Sequence, residues 1–109
     1  MCMEIHNKLG GGLTEAIYKD ALELELKLNN IPYEREKPFR IYYKGVLLAH
    51  SYYADFIVDG NIVIEIKAIS EIIKEHFSQT LNYMKLAESK LGIIINFGGN
   101  RLQHKRMIL

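Results

Sequence analysis

The stretch from Ile62 to Ala68 contains an acid and a base two residues apart, Glu65 and Lys67. Side chains alternate between the two faces of a β-strand, so Glu65 and Lys67 share one face while the isoleucines beside them occupy the other. Charged groups in so apolar a strand are costly unless they are paired, hydrogen-bonded or bound to a metal ion. The stretch is therefore a candidate site, and the alternative is a strand whose charged face lies in water.

Asp55 is a further charged group in an apolar stretch, Tyr52 to Val58, where aspartate has a poor strand propensity. Whether Asp55 faces Glu65 depends on the length of the loop between the two predicted strands. A two-residue loop at Asp59-Gly60 would place Asp55 in the apolar core. A three-residue loop that begins one residue earlier shifts the strand pairing by one position and turns Asp55 to the opposite face of the sheet. We therefore predict an odd-length connection or a bulge, which places Asp55 on the face of Glu65.

Three more polar residues have the type and spacing of site residues. Glu15 lies in the first turns of a predicted helix, where the helix dipole alone would favour an acid. Gln79 and Tyr83 are four residues apart in a later helix and so share a face, which could equally be a half-buried polar edge. The four histidines lack the spacing of metal ligands and Cys2 is the only cysteine, so neither a zinc site nor an internal disulfide is expected.

Two helices are predicted before the strands. The first covers residues 1–9 and ends at the glycines 10–12, because glycine is unfavourable inside a helix. The second begins near residue 13, ends at Asn29-Asn30, and is predicted to carry Lys19 on its solvent side. Its predicted inward stripe has apolar residues three or four positions apart, namely Leu13, Ile17, Ala21, Leu24 and Leu28.

The rest of the chain changes between strand and helix patterns. Strands are predicted over 39–43, 46–48, 52–58 and 62–68, a helix over about 70–89, a central strand over 91–96 and a closing strand over 103–109. The inward stripe of this helix is predicted to be Ile73, Phe77, Leu81 (or Thr80), Met84 and Ala87. This order of elements predicts an α/β (α+β) fold, in which helices flank a mixed central sheet.

Composition limits the class of protein. The 109 residues and 12.6 kDa suffice for one domain, residues 1–109. With 49% apolar and 25% charged residues, a disordered chain is excluded. A net charge of +1 excludes a generally basic nucleic-acid surface, though not a local basic patch. Without a long apolar run or a signal peptide, and with one cysteine, we expect a soluble domain of the cytoplasm.

Five motifs in this order resemble the GxxExxY proteins, a family placed in the PD-(D/E)XK nuclease superfamily. They read Ile5-His6-x-x-Leu9-Gly10-x-Gly12-Leu13-x-Glu15-x-x-Tyr18, Ala54-Asp55, Glu65-x-Lys67, Gln79-x-x-x-Tyr83 and Ile94-Ile95-Asn96-Phe97-Gly98. The ordered set covers nearly the whole chain and is specific, although each motif alone is weak. Ala54 stands where the superfamily has proline, which is tolerable because the chemistry lies on the aspartate that follows.

The resemblance implies a restriction-endonuclease-like fold and a nuclease that hydrolyses phosphodiester bonds in DNA with Mg²⁺, or with Mn²⁺ as a substitute. The catalytic positions that it implies are Glu15, Asp55, Glu65 and Lys67, with Gln79 and Tyr83 as an auxiliary pair. Mg²⁺ prefers oxygen ligands, here Asp55, Glu65 and the Ile66 carbonyl, while Glu15 would bind through water or recruit a second ion. Lys67 would orient or deprotonate the attacking water.

The expected partner is nucleic acid, most simply DNA. Candidate contacts to its backbone, for which scattered solubilising charge is the alternative, are Lys74, Lys85, Arg101, His104, Lys105 and Arg106. A homodimer is a further expectation, because small nucleases often pair to cut two strands, although no residue indicates it. Two other hypotheses stay open: a non-catalytic descendant that binds nucleic acid or a protein, and a plain structural module.

Overall fold

A computed structural model describes all residues, 1–109, as three helices and seven strands. The helices are α1 (Cys2–Leu9), α2 (Glu15–Leu28) and α3 (Lys74–Leu86). The strands are β1 (Tyr33–Phe39), β2 (Tyr42–Tyr43), β3 (Val46–Leu47), β4 (Tyr52–Val58), β5 (Ile62–Lys67), β6 (Leu91–Asn96) and β7 (Gln103–Ile108).

A five-stranded sheet in the order β1-β4-β5-β6-β7 forms the centre of the fold. Only β5 and β6 are parallel, and α3 is the crossover between them, as a parallel connection requires. The helices cover both faces of the sheet: α1 and α2 pack on the face of Phe56 and Ile66, and α3 packs on the face of Val63. The predicted mixed α/β fold is confirmed.

The connection between β4 and β5 is odd in length, as predicted, and it sets which face each residue occupies. Val58 pairs with Ile62, so the loop is 59–61, one residue later than the three-residue loop considered from the sequence. Asp59 (φ 53°) and Gly60 (φ 77°) both adopt the left-handed conformation that such a tight turn needs.

The predicted inward stripe of α2 is wrong. Four of its five residues are between 41% and 68% exposed, namely Leu13, Ile17, Leu24 and Leu28. The buried residues of α2 are Tyr18, Leu22 and Leu26, which also follow helical spacing. Two apolar stripes thus compete on this helix, and the Tyr18 ring, which stacks on Phe97 with centroids 4.5 Å apart, decides between them.

Other element bounds differ from the prediction in two places. The helix α3 has 13 residues and begins at Lys74, so Ile73 precedes it and is exposed; Thr80 and Met84 are the predicted residues that α3 buries. The strand β1 extends from Tyr33 to Phe39, where the sequence indicated no strand before residue 39, and the prediction of one strand over 39–43 is wrong, because that stretch is divided between the end of β1 and β2. Proline is tolerated in β1 because β1 is an edge strand.

Tyr18 fixes the glycine loop that precedes α2. Its hydroxyl donates to the Gly10 carbonyl and accepts from the Leu13 N–H. A Cβ at Gly11 would lie 2.7 Å from the carbonyl oxygen of Gly99, so only glycine allows the loop to approach the β6–β7 turn so closely. These contacts set where α2 begins, and with it the position of Glu15.

Replacing Tyr18 by phenylalanine should therefore destabilise the protein while the ring stacking is kept. Tyr18→Phe is expected to lower the free energy of unfolding by about 1–2 kcal/mol, because two hydrogen bonds worth ~1 kcal/mol each are lost. Urea denaturation measures the change. Tyr53→Phe, at an exposed ring, is the control, and an equal change in the two variants would contradict the role given to Tyr18.

Candidate functional site

Asp55 of β4 and Glu65 of β5 face each other at the point where regular pairing between the two strands ends. The register runs from Val58↔Ile62 to Phe56↔Ile64, and its continuation brings Asp55 opposite Glu65. Here side chains replace ladder hydrogen bonds. The Asp55 N–H donates to Glu65 Oε1 at 3.2 Å, and the Ile66 N–H donates to Asp55 Oδ2 at 2.7 Å. The predicted convergence of these two acids is present in the structure.

The second oxygen of Asp55 is paired with a lysine that the sequence did not point to. Lys19 Nζ of α2 lies 2.8 Å from Asp55 Oδ1 and 3.6 Å from Glu36 Oε1. The Lys19 and Asp55 side chains are only 16% and 13% exposed, so this pair is largely removed from water. The prediction that Lys19 lies on the solvent side of the helix is wrong. With Tyr18 buried, the next residue of α2 turns toward the sheet edge.

Lys19 therefore carries its charge into a shielded position. Burial alone would lower the pKa of Lys19, but the hydrogen bond and charge of Asp55, with the charges of Glu36 and Glu15, more than offset it and raise that pKa. The ammonium stays protonated and compensates the Asp55 carboxylate. In the sequence, Lys19 lies one helical turn after Glu15, which is a hint that both belong to the site. Periodicity alone, however, does not show that this face of the helix meets Asp55.

Glu65 is the most strongly perturbed acid of the site. Its side chain is buried, and burial together with the negative charge of Asp55 raises the pKa of Glu65 to about 9. Two adjacent carboxylates in a place that excludes water do not both ionise, so Glu65 holds a proton at neutral pH. Such a group, with a raised pKa and a specific charged neighbour, is a functional-site candidate.

Lys67, the last residue of β5, and Gln79 and Tyr83, on α3, form a second group of polar residues beside this pair. Lys67 Nζ lies 3.5 Å from Gln79 Oε1, at the limit of a hydrogen bond. Burial, followed by the charges of Glu65 and Asp55, raises the pKa of Tyr83 to about 12. Its hydroxyl is therefore a neutral hydrogen-bond donor at physiological pH.

Asn96 fixes the end of β5 just beyond Lys67. It is fully buried; its Oδ1 accepts from the Ile69 and Gly98 N–H groups, each at 3.0 Å, and its Nδ2 donates to the Ile69 carbonyl at 2.9 Å. The motif that contains Asn96 thus has a structural role, because the Asn96 side chain binds backbone groups. It holds the turn after Lys67 against the end of β6.

Glu15 stays outside the cluster. It is the first residue of α2 and its charge acts on Lys19, but it makes no hydrogen bond or ion pair with Asp55 or Glu65. No three His, Cys, Asp or Glu residues lie together as a ready set of metal ligands. At Ile66, the contact with Asp55 is made by the N–H group.

The donor chemistry of the pair nevertheless fits a hard cation. Asp55 and Glu65 offer carboxylate oxygens in a shielded place, which are the ligands that Mg²⁺ prefers, and Mg²⁺ commonly takes only one or two carboxylates. Two of the three expected acidic ligands are therefore together, and the third is held apart.

Among the expected contacts to a nucleic-acid backbone, the structure separates two groups. Lys74 lines a cleft of 470 Å³ with Gln79 and Tyr52. Arg101 and His104 line a different cleft, of 330 Å³. The first cleft is the one that includes a residue of the candidate site.

A family model described as the PD-(D/E)XK nuclease superfamily matches residues 1–107. The chain belongs to this superfamily. A solved structure described as "Crystal structure of SSO0001" is 25% identical, with a TM-score of 0.67 over 85% of this PD-(D/E)XK chain and 50% of that chain. The chain thus spans half the length of that protein. A comparison with curated proteins finds no match. None of the three helices has the length and apolar character needed to cross a bilayer.

The raised pKa of Glu65 predicts how the stability of this PD-(D/E)XK domain depends on pH. Between about pH 4.5 and about pH 9 the folded carboxyl keeps a proton that the unfolded carboxyl has released, so wild-type stability falls as pH rises. Glu65→Gln mimics the protonated group without titrating. At about pH 8 we expect it to exceed the wild-type free energy of unfolding by more than about 1.4 kcal/mol, the equivalent of one pKa unit.

Chemical denaturation across this pH range, without divalent ions, is the measurement. Glu71→Gln, at an exposed position, is the matched control and should keep the wild-type slope. If Glu65→Gln also kept that slope, Glu65 would not be the group that holds the proton.

Proposed function

We propose that this chain is a Mg²⁺-dependent nuclease that hydrolyses phosphodiester bonds in DNA, and that within the superfamily it belongs to the GxxExxY group. The observation that carries the proposal is the buried Asp55–Glu65 pair, whose second acid lies two residues before Lys67. A structural domain has no need for two adjacent buried acids, since apolar residues would be less costly there. The five ordered motifs support the narrower family assignment.

Asp55 and Glu65 would hold the ion, with the Ile66 carbonyl and, through water, Glu15. When bound, Mg²⁺ neutralises phosphate oxygens and lowers the pKa of a water molecule, which attack on an anionic diester requires. For this Glu65 must release its proton and Asp55 must release Lys19. Binding is therefore expected to weaken as the pH falls below about 9, where Glu65 keeps its proton.

Lys67 would act on the reacting phosphate directly. Its ammonium can orient the attacking water and stabilise the negative charge that grows on the phosphate oxygens. Gln79 lies within 3.5 Å of that ammonium and would restrict its direction. Tyr83, kept neutral by its raised pKa, would donate a hydrogen bond to the water or to a phosphate oxygen.

The second candidate function is non-catalytic binding of nucleic acid. The observation that favours it is the separation of Glu15 from the other two acids, together with the pairing of Lys19 with Asp55. In that case the pair would be an inherited but unused site. Metal binding and cleavage distinguish the two candidates.

The first test is metal binding. Titration calorimetry with Mn²⁺ is expected to detect one site in the wild-type protein, and Asp55→Asn should weaken it at least about tenfold because a charged oxygen ligand is lost. Asp59→Asn changes another aspartate to asparagine in the exposed loop beyond β4 and should bind as the wild type does. Equal binding by the two variants would contradict a metal site at the pair.

The second test is cleavage. Wild-type protein with Mg²⁺ or Mn²⁺ should cleave plasmid DNA or oligonucleotides, and Lys67→Ala should slow the initial rate by about 10²-fold or more, the usual cost of losing an electrostatic catalyst. Lys90→Ala is the control, since Lys90 is exposed and precedes the start of β6, at the other end of the sheet from Lys67. Activity that survives Lys67→Ala points to a contaminant. Absence of both cleavage and metal binding favours the non-catalytic candidate.

A further inference from the structure

A segment rich in exposed tyrosines lies beside the candidate site. We call it the tyrosine hairpin surface. It consists of the β2–β3 hairpin, residues 42–47, and the first two residues of β4. Four tyrosine rings on it are between 42% and 62% exposed, namely Tyr42, Tyr43, Tyr52 and Tyr53. So many large rings in water on one short segment usually mark a binding surface.

The hairpin itself is not part of the main sheet. The strands β2 and β3 pair only with each other, joined by a turn at Lys44 (φ 51°) and Gly45 (φ 77°). An isolated two-stranded hairpin is marginally stable, so it can adjust to a ligand. Successive strand residues point to opposite faces, so the hairpin carries one exposed tyrosine on each face, and folding of the domain does not explain why both rings lie in water.

The charge of this segment selects the class of partner. Residues 38–54 contain two Lys or Arg residues and no Asp or Glu, although the whole chain is nearly neutral; Lys37, just before them, is paired with Glu34 at 3.1 Å. Arg40 and Lys44 are exposed, and Lys44 Nζ lies 5.5 Å from the centre of the Tyr43 ring. A second copy of the chain would bring the same positive charge against itself. A polyanion with flat apolar groups matches both properties.

The surface is continuous with the candidate site through one ring. Tyr52 meets Tyr83 edge to face, with centroids 5.6 Å apart. Tyr52 also lines two openings: a cavity of 510 Å³ that it shares with Ile41 and Leu48, and the cleft of 470 Å³ that contains Gln79. A strand lying on the hairpin can therefore reach Gln79 and the residues it contacts.

We propose that the tyrosine hairpin surface binds single-stranded DNA, with bases stacked on its tyrosines and phosphates near Arg40 and Lys44, and leads it toward the Asp55–Glu65 pair. Paired bases in a duplex hide their faces, so this surface would favour a single strand or a frayed end. The binding step stands on the surface alone, and the delivery of a strand for cleavage rests on the proposed nuclease function.

The test measures binding without divalent ions, so that it does not depend on cleavage. Fluorescence anisotropy with a labelled oligothymidylate of about 20 nucleotides, longer than the ~4–16 nucleotides of a typical single-strand site, is compared with a duplex of equal length. Wild type should prefer the single strand. The double variant Tyr42→Ala/Tyr43→Ala should lose at least about tenfold in affinity, since stacking contributes ~1–3 kcal/mol per base.

Matched variants separate stacking from other causes. Tyr42→Phe/Tyr43→Phe keeps both rings and should retain wild-type affinity. Leu24→Ala/Leu28→Ala removes exposed apolar side chains from α2 and should change nothing. Lys44→Gln should weaken binding and lower the slope of log affinity against log salt by about 0.7, the contribution of one phosphate contact on a single strand.

Three outcomes would overturn the proposal. They are wild-type affinity in the alanine double variant, equal affinity for duplex and single strand, and a dimer in sedimentation that the alanine variant dissolves, which would make the surface a contact between copies. The nuclease proposal is scored separately. If the alanine double variant binds and cleaves as the wild type does, the nuclease proposal stands and the role of the tyrosine hairpin surface is rejected. If binding depends on the tyrosines but no cleavage is found, the surface is supported and the nuclease proposal is rejected.

Discussion

Between β4 and β5, the carboxyl groups of Asp55 and Glu65 lie side by side where water is almost excluded. Two adjacent carboxylates cannot both stay ionised there. Glu65 therefore keeps a proton, the Lys19 ammonium pairs with Asp55, and two backbone N–H groups donate hydrogen bonds to the two carboxyl groups. The hydrogen bonds that the two strands would otherwise exchange are given up at this level. The regular pairing of β4 with β5 thus ends at Phe56 because the acids take its place.

Much of the fold can be understood as the support that this pair needs. The three-residue loop at 59–61 sets the register that brings the acids together. The stacking of Tyr18 on Phe97 turns α2 so that Lys19 meets Asp55. These are contacts between distant parts of the chain. A change far from the acids, in the glycine loop or at the end of β6, should therefore be felt at the site through the position of a helix.

The sequence predicts those features of the fold and the site that neighbouring residues determine, and it does not predict those that depend on contacts between distant parts of the chain. The loop parity was predictable because a lone aspartate in an apolar core is too costly, whichever residues form the turn. The inward face of α2 was not, since two stripes with the same spacing compete and only the ring of Phe97, almost eighty residues away, selects one. Lys19 was missed for the same reason. The strand β1 was missed because Pro38 argues against a strand unless the strand is known to lie at an edge.

The pairing of Lys19 with Asp55 and the separation of Glu15 have a common consequence for charge. Without a metal ion, one carboxylate, one ammonium and one protonated acid add up to a neutral site. On the proposed function, Asp55 gives up Lys19 and Glu65 gives up its proton, so two positive charges leave as one divalent ion enters. The net charge of the buried site is the same before and after. Glu36, which already lies 3.6 Å from Lys19, and Glu15, whose charge also acts on Lys19, are then the acids that can hold the released ammonium, which gives Glu15 a role without direct contact with the pair.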